Sequence, residues 1–258
     1  MDKPSLSSLN SEQKKAVEAL DGPVLILAGA GAGKTKTIVE RIRQLVHSGV
    51  SPTEILAITF TNKAAKEMRE RVEQELRADK DINRPISMSE RPFVSTFHSL
   101  GVHILREHSQ LAGLKRTFAI FDRDDSKKAI KEALQIVDLD PKTHEPGRIL
   151  SIISKEKGRG TTFEDWVNYS ERGGYIAEVV SLIWPEYEKI LKRDNALDFD
   201  DLLLKTNNLL REHRAVRDYY QKIWRYIHID EYQDTNRVQY EISKMLVGIE
   251  CNICAVGD

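Results

Sequence analysis

Residues Val24–Thr35 read VLILAGAGAGKT, an apolar run followed by a glycine-rich turn that ends in a lysine and a threonine. The pattern G-x-x-x-x-G-K-[ST] between a strand and a helix is typical of a phosphate-binding loop. Gly33–Thr35 fits the end of the pattern, whereas Ala28 stands where the first glycine is expected. Thr35–His47 then carries apolar residues at helical spacing. The segment therefore predicts a strand, a phosphate-binding loop and a helix, in that order.

The residue types of this loop predict how it would hold a nucleotide. Its glycines let the chain wrap tightly, and its N–H groups and the helix start would donate to phosphate oxygens. We expect Lys34 to reach the β- and γ-phosphates and the Thr35 hydroxyl to ligate Mg²⁺. The predicted nucleotide-binding residues of the loop are Gly29, Ala30, Gly31, Ala32, Gly33, Lys34, Thr35 and Lys36.

A second apolar run, Tyr226–Ile229, leads into Asp230 and Glu231. Open α/β sheets place ligand-binding groups at the carboxyl ends of strands, and an aspartate there can hold Mg²⁺ partly through water. Glu231 is a candidate general base, because a hydrolase must orient the attacking water whereas a kinase need only position an acceptor. An acidic strand end alone is often a solvated turn, but beside a phosphate-binding loop it predicts nucleoside triphosphate hydrolysis.

The composition of the 258 residues is that of an ordinary soluble globular protein, with 40% hydrophobic and 31% charged residues. A formal net charge of −1 argues against a globally basic DNA-binding protein but permits a local basic groove. We find no signal peptide and no apolar run near the ~20 residues that span a bilayer, so we expect a cytoplasmic protein without membrane partners. Cys251 and Cys254 flank or lie in a predicted strand, which favours core or near-core thiols over a metal or redox pair.

Alternating strands and helices predict a parallel α/β sheet with crossover connections. The predicted strands are Val24–Leu27, Ile55–Phe60, Phe93–Phe97, Tyr226–Ile229 and Asn252–Val256. The alternation stops between the third and fourth strands. There Val102–Glu132 and Ile176–Arg193 have helical patterns, whereas proline and glycine interrupt Thr143–Gly174. We therefore predict a mostly helical inserted subdomain over about Leu111–Asn195.

In chain order, six segments resemble the helicase motifs of superfamily 1 DNA helicases, the group that contains UvrD, PcrA and Rep. They are Leu9–Gln13 (Q motif), Ala28–Thr35 (motif I), Thr59–Ala65 (motif Ia), Ser95–Leu100 (motif Ib), Ala196–Leu202 (motif Id) and Asp230–Asn236 (motif II). That family often has alanine at the position of Ala28. The resemblance covers essentially the whole chain, and it implies a RecA-like P-loop NTPase fold that uses ATP and Mg²⁺.

The resemblance also implies a domain organisation. RecA-like domain 1A would comprise residues 1–110 and 196–258, and helical domain 1B would comprise residues 111–195. By analogy with RecA-like sheets, the last strand would lie between the phosphate-loop strand and the strand before Asp230. A member of this family would act in the bacterial cytoplasm, associated with the nucleoid.

Two glutamines acquire predicted roles from the resemblance. The Gln13 amide offers a donor and an acceptor, the pair needed to recognise adenine N7 and N6, and the family implies this role. The alternative for Gln13 is a surface glutamine on a helix over Ser11–Leu20. Gln233 resembles the family residue that links the γ-phosphate to the DNA-binding elements, a switch role.

The ends of the second and third predicted strands carry residues that suit DNA. Threonine hydroxyls and helix N-terminal N–H groups suit phosphate contacts, and Phe60 could either stack on a base, worth about 1–3 kcal/mol, or belong to the core. His98 could equally be a structural histidine. The single-stranded-DNA contacts implied by the resemblance are Thr59, Phe60, Thr61, Asn62, Thr96 and His98.

Two charged clusters lie in or near the predicted insertion. They are the aspartates Asp198, Asp200 and Asp201 and the basic residues Lys155, Lys157 and Arg159. We expect the aspartates to stabilise the start of a helix rather than to bind a metal, with Phe199, Leu202 and Leu203 packed inward. The basic residues predict a loop that either contacts duplex DNA or is a solvated run of charge.

The chain ends at Val256–Asp258, where motif III of the family begins. We therefore expect a truncation that lacks domains 2A and 2B and their arginine finger, which contributes roughly 10³–10⁵ in rate in related NTPases. Such a fragment would bind ATP·Mg²⁺ weakly, hydrolyse it very slowly and unwind nothing.

These observations predict the N-terminal ATPase half of a helicase that translocates 3′ to 5′ on single-stranded DNA and unwinds duplex at a junction. Its predicted catalytic residues are Lys34, Asp230, Glu231 and Gln233, with Mg²⁺ held by Thr35 and Asp230. An alternative is a module that binds nucleotide and DNA or docks a partner without turnover. A P-loop kinase or a non-motor ATPase switch would leave motifs Ia, Ib and Id unexplained.

Overall fold

The computed structural model describes residues 9–79, 90–170 and 174–258. The chain forms two compact units, of which the first contains residues up to Leu100 together with His213–Thr235 and Ser243–Asp258. The second contains Gly101–Glu212 and Asn236–Ile242. The domain limits expected at residues 110 and 195 remain a prediction.

The described residues form helices and strands in alternation at both ends of the chain. The strands are β1 (Val24–Leu27), β2 (Ile55–Thr59), β3 (Phe93–Thr96), β4 (Ala119–Ile120), β5 (Ala196–Leu197), β6 (Tyr226–Ile229) and β7 (Ile253–Gly257). The α-helices are α1 (Ser11–Glu18), α2 (Lys34–His47), α3 (Asn62–Ala78), α4 (Phe97–Glu107), α5 (Arg123–Ile136), α6 (Pro146–Gly158), α7 (Phe163–Ser170), α8 (Gly174–Arg193), α9 (Phe199–Glu212), α10 (Arg214–Ile223) and α11 (Arg237–Leu246). Short 3₁₀ helices cover Pro52–Glu54 and Tyr232–Asp234.

The first unit is built on a five-stranded parallel sheet in the order β1-β7-β6-β2-β3. The predicted placement of the last strand between the phosphate-loop strand and the Asp230 strand is thus confirmed. Strands β2 and β6 are buried along their whole length, as expected for parallel strands covered on both faces. Because all five strands are parallel, their carboxyl ends meet at one edge, where Leu27, Thr59, Thr96 and Ile229 end β1, β2, β3 and β6.

Helix α2 supplies much of the core on one face of this sheet. Its residues Ile38, Ile42 and Leu45 recur at helical spacing and are at most 1% exposed, packed with Met68 of α3 and Val256 of β7. Full burial of such side chains contributes roughly 1.5–3 kcal/mol each. This packing fixes the helix that begins at the phosphate loop against the sheet.

The ends of the predicted elements in the first unit match the structure to within one or two residues. The predicted environment was correct for one of the two cysteines. Cys254 is buried in β7, as predicted. Cys251 is exposed and lies before β7 in a turn with φ of +51°, so the expectation of a near-core thiol was wrong for Cys251.

The second unit is mostly helical, and it also contains the short parallel pair β4–β5. Its core is formed by α5, α6 and α8, with Ile130, Ile153, Ile183 and Trp184 at 1% exposure or less. None of the helices in the described part of the chain has the length and the apolar composition that a membrane span requires.

Two helix predictions for this unit were wrong in detail. The pattern over Val102–Glu132 is divided between α4, β4 and α5, because a turn region with Gly113 separates the helices. The supposedly broken stretch Thr143–Gly174 contains α6 and α7. Pro146 lies in the first turn of α6 and Gly158 in its last, positions where these residues mark helix ends and do not prevent helix formation.

Candidate nucleotide-binding site

The phosphate-loop segment joins the edge strand β1 to helix α2. Gly31 and Gly33 have φ values of +77° and +82°, the left-handed region that glycine enters without strain. Gly33 is the N-cap of α2 and has no side chain that could accept from the first-turn N–H groups. The loop is tied to the sheet where the Ala28 N–H donates to the Gly257 carbonyl at 2.9 Å. This arrangement leaves the N-terminal N–H groups of α2 and the loop backbone available to an anion.

The Lys34 ammonium lies between two carboxylates. Its Nζ is 3.1 Å from Glu231 Oε2 and also pairs with Asp258. The hydrogen bond with Asp258, and after it the Glu231 carboxylate, raises the pKa of Lys34. The structure therefore brings the loop lysine to the end of β6 and to the end of β7, strands that are distant from it in sequence.

Asp230 and Thr35 meet across the same edge of the sheet. Thr35 Oγ1 donates to Asp230 Oδ2 at 3.2 Å, although the two residues are 195 positions apart. The Asp230 backbone N–H donates to the Ile58 carbonyl, which continues the β6–β2 ladder beyond the strand. Burial, and then the neighbouring Glu231 charge, raises the pKa of Asp230. A divalent cation bound by the buried carboxylate and the neighbouring hydroxyl would compensate the negative charge of Asp230.

Glu231 is held in an unusual backbone conformation. Its φ of +50° and ψ of 45° place a non-glycine residue in the left-handed region, at a cost of about 1–2 kcal/mol. Gln233 Nε2 donates to Glu231 Oε2 at 2.8 Å, and Gln233 Oε1 accepts from the Asp258 N–H at 3.3 Å. Gln233 therefore connects the Glu231 carboxylate to the end of β7.

Gly257 and Asp258 belong to this constellation but were not predicted as site residues. A Cβ added at Gly257 would lie 2.7 Å from Gln233 Oε1, so any larger residue there would displace the glutamine amide from its present position. The order of strands in the sheet was the signal that could have located them, because it places the end of β7 between the loop and Asp230.

Gln13 contacts the phosphate loop and closes a capping box on α1. The Asn10 side chain accepts from the Gln13 N–H at 2.9 Å, and Gln13 Oε1 accepts from the Asn10 N–H at 3.0 Å. Gln13 Nε2 donates to the Ala32 carbonyl at 2.9 Å. A Cβ at Gly33 would lie 2.8 Å from the same Nε2. The amide orientation is thus fixed, while one N–H and one oxygen lone pair remain for a ligand.

The residues predicted to contact DNA lie at the ends of two adjacent strands. Thr59 of β2 pairs in register with Thr96 of β3. Thr61 is the N-cap of α3, where its side chain accepts from the Ala64 N–H at 3.1 Å. Phe60 is half-buried, and Asn62 is exposed in the first turn of α3. The structure therefore groups these residues along one edge.

The second predicted DNA motif is more enclosed than the first. Thr96 is buried, and its hydroxyl both donates to Ser99 Oγ at 3.1 Å and accepts from the Ser99 N–H at 3.2 Å. His98 is half-buried, and burial lowers its pKa. His98 is therefore predominantly neutral at pH 7, and its DNA role stays a prediction.

The aspartates of the Ala196–Leu202 motif lie in the second unit and form the start of α9. Asp198 Oδ1 accepts from the Asp201 N–H at 2.7 Å, and Leu202 and Leu203 are buried, as predicted. The inward packing expected for Phe199 was wrong, because its side chain is 50% exposed. Within the described residues, no group of three or more His, Cys, Asp or Glu side chains is arranged to hold a metal ion.

The prediction of a basic loop at Lys155, Lys157 and Arg159 was wrong. Lys155 and Lys157 lie in helix α6, and Arg159 is its C-cap. Lys157 is 1% exposed, with its Nζ 2.9 Å from Asp198, 2.8 Å from Asp201 and 2.7 Å from Glu188. The burial of Lys157 could not be predicted from local sequence, because its partner carboxylates are more than 30 residues away along the chain.

The buried charges have strongly perturbed pKa values. Burial alone would lower the pKa of Lys157, but the three carboxylates raise it well above its ordinary value. Burial, followed by the Asp198 charge, raises the pKa of Asp201 to about 7. The lysine is therefore the cation of a buried cluster and is not available to a nucleic acid.

The model of the UvrD/REP helicase N-terminal domain matches residues 9–258. The chain belongs to the UvrD/REP helicase N-terminal domain family. The ATP-dependent DNA helicase PcrA of Bacillus subtilis (strain 168) is 44% identical over 254 residues, and PcrA of Staphylococcus aureus (strain Mu50 / ATCC 700699) is 43% identical over the same length.

Each alignment covers 98% of this chain and 33% of the relative. The chain therefore spans about a third of the length of the curated relatives it matches. Membership of this family confirms the resemblance stated from the motifs. The parallel α/β sheet with a phosphate loop at its edge strand agrees with a RecA-like P-loop helicase fold.

Proposed function

We propose that this chain binds ATP with Mg²⁺ and forms the ATP-hydrolysing, DNA-binding half of an ATP-dependent DNA helicase. The observation that carries the proposal is the convergence of four side chains from two distant segments. Lys34 approaches Glu231, and Thr35 bonds Asp230, at the carboxyl edge of the sheet. A phosphate loop beside an Asp-Glu pair is an arrangement suited to cleaving a phosphoanhydride with water.

Thr35 and Asp230 are the residues that would hold Mg²⁺. The buried Asp230 carboxylate, with its raised pKa, is a negative charge for which a cation would compensate. Two oxygen ligands are few, but Mg²⁺ is commonly held by one or two protein carboxylates or hydroxyls together with waters and phosphates. When bound, the ion would neutralise negative charge on the phosphates and help to orient them.

Lys34 and Glu231 would exchange partners when a triphosphate binds. Lys34 is the first residue of α2 and pairs with Glu231 and Asp258. A triphosphate in the loop offers more negative charge than these carboxylates, so we propose that Lys34 transfers to the β- and γ-phosphates. Glu231 would then be released as a general base for water, held by the donor Nε2 of Gln233.

Gln13 would select adenine. Its Oε1 and Nε2 are each engaged once, by the Asn10 N–H and the Ala32 carbonyl. The remaining donor and acceptor suit adenine N7 and N6. Lys36, exposed in the first turn of α2, would contribute positive charge beside the nucleotide.

The DNA-binding residues would lie beyond this edge, with Thr59, Phe60, Thr61 and Asn62 on one segment and Thr96 and His98 on the other. Thr59 and Thr96 pair in register, which supports a single continuous binding surface, the DNA track, for one strand of DNA. Translocation from 3′ to 5′, action at a duplex junction, and completion of the ATP site by domains 2A and 2B are further parts of the proposal. Gln233, bonded to Glu231, would report the nucleotide state to this track.

The test is steady-state ATP hydrolysis by the 258-residue chain with and without single-stranded DNA. The variant is Glu231→Gln, and the control is Glu250→Gln, an exposed carboxylate that pairs with Arg225 away from the loop. We expect measurable ATP·Mg²⁺ binding with negligible hydrolysis under both conditions. If wild type hydrolyses ATP and Glu231→Gln abolishes that hydrolysis, Glu231 is supported as the general base, but the chain does not need further domains for turnover. Turnover that survives Glu231→Gln would refute the base assignment.

A further inference from the structure

Helix α1 is anchored at its C-terminal end by an arginine of helix α2. Arg41 is 2% exposed, and its Nη1 donates to the Ala16 carbonyl and, at 2.5 Å, to the Ala19 carbonyl. The last carbonyls of a helix have no partner within the helix and carry its negative dipole end. Arg41 therefore caps α1 from outside.

The charge of Arg41 depends on this contact. Within the described ranges, no carboxylate lies within ion-pair distance of its guanidinium, whereas Arg43 on the same helix pairs with Glu40 at 2.6 Å. A buried cation needs compensating groups, because desolvation disfavours its charged form. The carbonyls of α1 are the compensation that the structure supplies to Arg41.

The N-terminal end of α1 is anchored to the same segment of chain. Gln13 Nε2 donates to the Ala32 carbonyl, one residue before Gly33 and nine before Arg41. The helix has eight residues and is ~12 Å long, so both ends are tied to the phosphate loop and its helix. Loss of either anchor would leave that end of α1 held by packing alone, through side chains such as the fully buried Val17.

We propose that Arg41 is a positioning residue that sets nucleotide-base selectivity by holding α1 so that Gln13 faces the base. The proposal rests on the adenine role given to Gln13 above. Arg41 has no contact with the phosphate loop itself among its hydrogen bonds, so its effect on ATP would pass through α1. It would therefore alter recognition of the base and leave recognition of the phosphates intact.

The test is equilibrium binding of ATP, GTP and inorganic tripolyphosphate, each with Mg²⁺, to variants of the 258-residue chain. Arg41→Met removes the cap, and Arg43→Met removes a buried arginine two residues away whose ion pairs are with Glu40 and Asp79. Gln13→Ala and the double variant Gln13→Ala/Arg41→Met report whether Arg41 acts through the glutamine. Circular dichroism spectra establish that each variant is folded.

We expect Arg41→Met to weaken ATP binding about tenfold, the loss of roughly one hydrogen bond to the base. Binding of GTP and tripolyphosphate should change less than about twofold, so the ratio of GTP to ATP dissociation constants falls. Arg43→Met should leave this ratio unchanged, and the double variant should be no worse than Gln13→Ala alone.

Three results would overturn the inference. If Arg41→Met is folded and the ratio of GTP to ATP dissociation constants is unchanged, Arg41 has a purely structural role. The same conclusion would follow if Arg41→Met weakened the binding of all three ligands equally. If Arg41→Met does not fold, Arg41→Lys keeps the charge and should lower the ratio about threefold, and no change would contradict the proposal. An unchanged ratio in Gln13→Ala would instead refute the adenine role of Gln13, on which the inference rests.

Discussion

Replacement of Lys157 by methionine should destabilise the second unit strongly. The Lys157 ammonium lies within 3 Å of Asp198, Asp201 and Glu188 and is fully buried. Removal of one partner from a buried ion pair costs about 3–5 kcal/mol, since the other charge remains buried and uncompensated. Methionine nearly conserves the volume, so lost packing adds less than about 1.5 kcal/mol. We predict a loss of about 4 kcal/mol.

The loss should shrink at low pH. Burial opposes ionisation of Asp198, but the Lys157 charge holds its pKa below the ordinary value. Without the lysine, we expect burial to raise the pKa of Asp198 in the folded chain above its value in the unfolded chain. The folded variant then takes up a proton at Asp198 that folded wild type does not, so the variant regains stability relative to wild type as the pH falls. An effect of packing alone would not depend on pH.

The assay is urea unfolding followed by tryptophan fluorescence, with Lys155→Met as the matched control. Trp184 donates to Glu188 at 3.1 Å and reports the cluster directly. Lys155 is exposed on the same helix, so its loss should change the free energy of unfolding by less than about 0.5 kcal/mol. Because the chain has two units, hydrogen exchange of α6, α8 and α9 should confirm where stability is lost. A loss below about 1 kcal/mol, or one equal to that of Lys155→Met, would refute the account of this cluster.

Three further predictions concern single side chains. Gly33→Ala should lower the free energy of unfolding by about 1–2 kcal/mol, because the φ of Gly33 is +82°. Gly29→Ala is the control in the same denaturation experiments and should change that free energy little, because no atom lies within 4 Å of an added Cβ. Thr35→Ala should remove most of the Mg²⁺ dependence of ATP binding in titration calorimetry, and Thr35→Ser should retain it. As the pH rises from 5 to 7, the stability of wild type relative to Asp201→Asn should fall by about 2 kcal/mol, because the Asp201 proton is retained in the folded chain and lost on unfolding. His228, with its pKa lowered to about 3 by burial, contributes the opposite slope to both proteins, and a parallel pH dependence of the two would contradict the assignment.

The motifs and strands of the first unit could be predicted because each is encoded locally. Phosphate-loop residues are adjacent in sequence, and the runs before Asp230 and after Gly22 alternate with helical patterns in the way that parallel sheets require. The order of strands followed from family analogy. Gly257 and Asp258 were missed although the predicted strand order placed β7 beside β1, because their contacts with Gln233 and Lys34 depend on side-chain positions that strand order does not give.

The second unit was harder to predict because its decisive contacts are between distant residues. Lys157 reads as one of several basic residues near glycines, and its burial depends on carboxylates 31, 41 and 44 positions further on, Glu188, Asp198 and Asp201. Similarly, Arg41 reads as a surface residue of an amphipathic helix. A charged side chain is buried only where the fold brings it compensating groups, and local patterns carry no record of them.

We propose that this chain builds an ATP·Mg²⁺ site from Lys34, Thr35, Asp230 and Glu231. The most direct test of this claim is the dissociation constant of ATP, measured by titration calorimetry with and without Mg²⁺, for wild type, Lys34→Ala and Asp230→Asn. We predict Mg²⁺-dependent binding to wild type, a loss of at least about tenfold for Lys34→Ala, and binding to Asp230→Asn that no longer responds to Mg²⁺. Binding that is the same in all three proteins, or that ignores Mg²⁺ in wild type, would contradict the claim.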